Sequence, residues 1–233
     1  MALLPRLRQL MRRPTSASTV GARRPTSAAR RGDTLHEDAL RSMLSDDPNN
    51  ERAFAALAEI VRRRASGTGS DDDPLSADPV DDARDDDERQ RAADLAVWAL
   101  GEELAGNPRA WYPLIEVARL SVRDDHEGTL RRLRTAAERD PSGRALVESL
   151  ALLREAGEPV EALGLGVGHW HPKDQDPEVA RQLVLASIEA GRPLEAKQHI
   201  ASLDFYRDQS AVAGLREELI REVAQAEQTI PGT

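Results

Sequence analysis

Apolar residues recur three and four positions apart along most of this chain, as in Phe54, Leu57, Ile60 and Val61, or Leu215, Leu219, Ile220 and Val223. That spacing puts them on one stripe of an α-helix. The pattern predicts helices near 34–45, 50–64, 89–105, 109–122, 126–139, 143–156, 159–169, 177–190, 193–203 and 208–228. Strand-like alternation is confined to Leu163-Gly164-Leu165-Gly166-Val167-Gly168. Four dipeptides, Asp47-Pro48, Asn107-Pro108, Asp140-Pro141 and Asp176-Pro177, each precede an apolar-periodic run. In each, Asp or Asn is expected to cap the next helix while Pro occupies its first turn. The prolines lie 60, 33 and 36 residues apart.

Two stretches repeat each other. Glu155-Ala156-Gly157-Glu158-Pro159-Val160-Glu161-Ala162 returns as Glu189-Ala190-Gly191-Arg192-Pro193-Leu194-Glu195-Ala196, an offset of 34 residues (191 − 157). A 34-residue period on a Gly-x-Pro-x-Glu-Ala turn resembles the tetratricopeptide repeat, two antiparallel helices per unit. Residues 143–208 resemble two consecutive repeats, with Gly157 and Gly191 at the inter-helix turn and Ala162 and Ala196 at the small packing position. Residues 109–142 resemble a third, carrying Ala118, Ala136 and Ala137, and 33–108 a divergent start. The resemblance spans roughly 33–208 and implies an all-α, right-handed α-solenoid of helix hairpins. One hairpin cannot bury its own apolar face, so neighbours stack and leave an extended concave surface for partners.

Composition refines this reading. Aromatics make up 3% of the 233 residues, so Ala, Leu and Val must fill the core. No cysteine is present, which excludes disulfides, thiolate metal sites and a cysteine nucleophile. The net charge of −9 argues against nucleic acid as partner of the folded body. Residues 1–31 hold eight Arg and no acid, whereas 71–88 hold nine Asp, one Glu and one Arg. Such segments bury too little apolar surface to offset ordering entropy. The expected organisation is a basic disordered arm at 1–32, a repeat domain at 33–228 with a disordered acidic insertion at 66–88, and a tail at 229–233. No apolar run is long enough to span a membrane and no signal-peptide pattern opens the chain, so a cytoplasmic location is expected.

Within the arm, Leu3, Leu4, Leu7, Leu10 and Met11 form a helical stripe, giving a possible short helix over 2–13. Arg6, Arg8, Arg12 and Arg13 lie largely off it and suit an anionic membrane surface, an acidic partner or RNA phosphates. Translation from Met11 would remove the stripe. Arg12-Arg13-Pro14-Thr15-Ser16-Ala17 recurs as Arg23-Arg24-Pro25-Thr26-Ser27-Ala28, which resembles basophilic kinase sites with Thr15, Ser16, Thr26 and Ser27 as acceptors. Phosphate there would oppose the Arg charge.

No catalytic motif is visible, and no cofactor is expected. His169-Trp170-His171 with Asp174 and Asp176 has metal-ligand residue types but reads as a capped helix end. The Asp-rich insertion lacks the order of an EF-hand loop. Gly164, Gly166 and Gly168 would together weaken their helix by about 3 kcal/mol. Close approach of a neighbour against Gly164 and Gly168, which share a face, explains them; a frayed hinge is the alternative. The function expected is a non-enzymatic adaptor that holds a partner segment, with no specific nucleic acid and no transmembrane segment. The alternative is a peripheral factor tethered by its basic arm. In tetratricopeptide proteins the first helix of each repeat lines the groove, which makes Glu116, Arg119, Arg123, Arg154 and Arg181 the contacts. An Arg-weighted groove of this kind would prefer acidic or helical partner segments.

Overall fold

The computed structural model describes residues 27–67 and 79–229. Their regular structure is wholly helical: α1 Ser27–Asp46, α2 Glu51–Gly67, α3 Pro79–Ala105, α4 Tyr112–Ser121, α5 His126–Arg139, α6 Arg144–Glu155, α7 Pro159–His169, α8 Glu178–Glu189, α9 Pro193–Ser202 and α10 Gln209–Thr229, with a 3-10 turn at Leu203–Phe205. The alternating segment 163–168 lies inside α7, so helical packing overrides its period of two. The chain divides between His36 and Glu37. The described part of the first unit is the opening of α1, and the packing below belongs to the second.

The ends of two helices differ from expectation. Helix covers 27–32 and 79–88, where the sequence predicts a disordered arm and insertion. Adding residues to a helix that already exists avoids the nucleation penalty, so packed helices propagate outward. Acidic residues near a helix N-terminus are further favoured by the macrodipole, and Asp86 pairs with Arg89 one turn on at 2.6 Å. The possible helix at 2–13, residues 14–26, most of the acidic insertion (68–78) and 230–233 lie outside the described residues.

From α2 onward each helix packs on the next, and α4 also packs on α6, α6 on α8, and α8 on α10. Three apolar clusters follow the chain. Leu40, Leu44, Phe54, Leu57 and Val97 form the first, Ile115, Leu133, Leu146, Leu150 and Leu183 the second, and Val184, Ile200, Leu203, Leu219 and Val223 the third. Two of the few aromatics sit at the junctions. Tyr112 packs against both the first and second clusters, and Trp170 against both the second and third. Tyr112 also meets Phe54 edge-on at 5.5 Å between ring centroids.

The 34-residue sequence repeat is a repeat of backbone geometry. Ala156, Gly157 and Glu158 donate to the carbonyls of Leu152, Arg154 and Leu153, and Ala190, Gly191 and Arg192 donate to those of Ala186, Ile188 and Ser187. Every donor and acceptor is shifted by 34. Each set is a Schellman C-cap, which needs a left-handed residue; Gly157 and Gly191 have φ of 81° and 69°. Pro159 and Pro193 then open α7 and α9, and Ala162 and Ala196 are fully buried. The α4–α5 connection lacks this glycine, and Asp125 caps α5 instead by accepting from Gly128 N–H at 2.9 Å.

The four Asx-Pro dipeptides share one geometry, a turn leading into the helix, to which Asp140 adds the capping expected. In each, Oδ1 accepts the N–H two residues on: Asp47 from Asn49, Asn107 from Arg109, Asp140 from Ser142 and Asp176 from Glu178, at 2.9–3.1 Å. Proline brings no N–H of its own, so the next donor is taken. The first three are lead-in turns ahead of the helices. Asp140 is buried and reaches further, accepting Ala145 N–H at 2.7 Å inside α6.

Candidate partner-binding face

Arg119, Arg154 and Arg181 each reach forward to a glutamate on the next even-numbered helix. Arg119 on α4 lies 3.5 Å from Glu116 on its own helix, and 4.0 and 3.8 Å from Glu148 and Glu155 on α6. Arg154 on α6 makes a two-pronged contact with Glu189 on α8 at 3.0 and 2.6 Å, and donates to Gln182. Arg181 on α8 holds Glu218 on α10 through both terminal nitrogens and Glu178 on its own helix at 2.7 Å. Three of the inter-helix partners, Glu189, Glu155 and Glu218, lie 35 to 37 residues ahead of their arginines (189 − 154, 155 − 119, 218 − 181), and Gln182 and Glu148 lie 28 and 29 ahead (182 − 154, 148 − 119). Arg123 stands apart, exposed in the turn after α4.

Electrostatics follow from this geometry. Hydrogen bonds from Arg181 hold the Glu218 carboxyl below its usual range. The same bond, with Glu178 adding to it, raises the Arg181 guanidinium further against the opposing effect of burial. Burial, reinforced by Glu116, pushes the Tyr112 phenol up. Farther along, Arg144 at the start of α6 pairs with Glu51 of α2 at 2.9 Å and lies over the Trp111 ring, 5.8 Å from its centroid. Exposed pairs of this kind contribute about 0.2–1 kcal/mol each. Their geometric effect is larger than their energy, because they tie successive first helices side by side.

Three of the four arginines expected to receive a partner's carboxylates, Arg119, Arg154 and Arg181, are therefore already occupied by the chain's own. An incoming anion would have to displace a tethered one, which is present at high effective concentration. The charged residues named on α4, α6, α8 and α10 are six carboxylates, Glu116, Glu148, Glu155, Glu178, Glu189 and Glu218, against four guanidiniums, Arg119, Arg144, Arg154 and Arg181, a net of −2 (4 − 6). An Arg-weighted face is not what these positions form. Sequence reasoning missed Glu148, Glu155, Gln182 and Glu189. Its available signal was an acid about one repeat after each arginine.

Between α6 and α8 the face opens into a cleft of about 320 Å³ lined by Ala151, Arg154, Glu155, Gln182 and Glu189. A second recess of about 390 Å³ lies among Glu138, Asp140, His169, His171, Asp174 and Gln175. There His169 Nδ1 donates to Leu165 O at 2.9 Å, Asp174 pairs with Arg207 at 2.6 Å, and Asp176 serves its Asx turn. Among the described residues no three His, Cys, Asp or Glu side chains are placed to hold a metal ion. No described helix is long and apolar enough to cross a membrane.

The basic residues Arg6, Arg8, Arg12 and Arg13, and the kinase-site candidates Thr15, Ser16 and Thr26, lie outside the described residues. Ser27 is the first residue of α1. No family model matches this chain, nor does any curated protein or any solved structure.

Proposed function

We propose that this chain is a non-catalytic scaffold, an α-solenoid of tetratricopeptide-like hairpins that holds a segment of a partner protein across α4, α6 and α8. The observation that carries this reading is the congruent pair of turns. Identical caps one period apart set two successive hairpins at the same local geometry, and the pairing of α4 with α6, α6 with α8 and α8 with α10 continues the stagger. Stacked hairpins of this kind leave one layer of first helices open along its length. The cleft at Ala151 is at the small end of the roughly 300–1,000 Å³ range of ligand pockets, so it suits single side chains of a docked segment better than a cofactor.

A peptide-display selection against the immobilised full chain tests this, with Ala151→Trp as the comparison. Ala151 is only partly buried, so the indole can stand in the cleft without entering the core. Peptides that enrich on the wild type and are lost on the variant, with unchanged circular dichroism, support the scaffold. Enrichment that is equal on both proteins, or absent from both, rejects it.

A further inference from the structure

We infer that the open face of α4, α6 and α8 takes a Lys- or Arg-bearing segment of a partner protein, with Glu148 and Glu155 as its main contacts. The inference rests on the scaffold reading and names the chemistry of the partner. Charge complementarity carries it. The guanidiniums of Arg154 and Arg181 are spent on Glu189 and Glu218 through two-pronged contacts, so they offer an acidic segment little. Glu148 and Glu155 are held only by Arg119, at 4.0 and 3.8 Å, beyond hydrogen-bond length. Both are exposed, Glu155 at 71% of its side chain.

The two carboxylates also have a usable spacing. They are seven residues apart on α6, hence on one side of the helix and about 10 Å apart along it. A polyproline II segment rises about 9 Å in three residues and completes one turn in them, so side chains at i and i+3 stand on the same side of it. A segment with basic residues at i and i+3 therefore matches both at once. The cleft borders Glu155 between α6 and α8, where the next side chain of the segment would enter.

The probes are alanine-based peptides of equal length carrying Lys at i and i+3, or Glu, or Gln, at those positions. Binding is read by fluorescence anisotropy and by amide NMR shifts of the full chain. The Lys peptide is expected to shift Ala151, Glu155, Gln182 and Glu189, with an affinity that falls as salt screens the contact. Glu148→Lys with Glu155→Lys should weaken it by about tenfold or more. Asp71→Asn, Asp72→Asn and Asp73→Asn together should leave those shifts in place, which separates the face from the acidic insertion. A Lys peptide that does not move these amides, or a Glu or Gln peptide that moves them at higher affinity, overturns the inference. The scaffold reading is judged separately: an acidic or neutral peptide that depends on Ala151 in the display selection would preserve it while this charge assignment falls.

Discussion

Replacing each glycine of α7 by alanine separates two effects that the sequence alone merges. At Gly164 an added Cβ meets no heavy atom within 4 Å outside its own helix, and the position is exposed. Alanine there gains helix propensity alone, about 0.8–1.0 kcal/mol. For a chain of this size about 1 kcal/mol raises Tm by about 2–4 °C. At Gly166 the same propensity gain is opposed. The new methyl overlaps Leu183 Cδ2 and sits 3.1 Å from Leu183 Cγ and 3.4 Å from Leu150 Cδ1. Both leucines are fully buried, so neither can swing away, and overpacking of this kind costs about 1–3 kcal/mol. The propensity term cancels between the two variants. Gly164→Ala should therefore exceed Gly166→Ala in stability by about 1–3 kcal/mol, read from paired thermal and urea melts followed by circular dichroism. Gly168→Ala, one residue from the end of α7, should gain less than Gly164→Ala. If Gly164→Ala proves as destabilising as Gly166→Ala, the exposed side of α7 is covered in solution and the packing argument fails.

Three further outcomes follow from buried and half-buried polar groups. Asp140→Ala removes the acceptor for Ser142 N–H, Ser142 Oγ and Ala145 N–H, and should cost about 2–3 kcal/mol in a urea melt. Arg139 donates through one nitrogen to the carbonyls of Ala105, Asn107 and Ala110, closing the turn before α4; Arg139→Leu should lose about 1.5–3 kcal/mol and increase hydrogen exchange over 105–111. Burial lowers the pKa of His199 from 6.5, with Glu195 partly opposing. Above 6.5 the ring is neutral folded and unfolded and contributes nothing. As pH falls below 6.5 the unfolded state binds the proton first and stability drops, until the folded pKa is passed. His199→Gln should remove that component of the Tm-versus-pH slope; an unchanged slope would assign it to other groups.

The ten helices are legible from periodicity because their apolar stripes are continuous, and Gly157 and Gly191 are legible because only a left-handed position explains a repeated glycine there. Two kinds of information are not local and escape the sequence. One is which neighbour a side chain meets. Gly164 and Gly168 share a helix face, as the spacing says, but the close approach occurs at Gly166, because Leu183 of α8 lies opposite that position. The other is whether a charge is free. Arg119, Arg154 and Arg181 read as ligands on their own helices, since the only acids three or four positions away within those helices are Glu116 and Glu178. Their stronger or more numerous partners arrive 29 to 37 residues later, once the next first helix is laid alongside. Where α4 packs on α6, α6 on α8 and α8 on α10, a residue about 35 positions ahead is a spatial neighbour. The charge of a face therefore has to be summed across neighbouring helices, because an arginine chosen on one helix is balanced by an acid on the next.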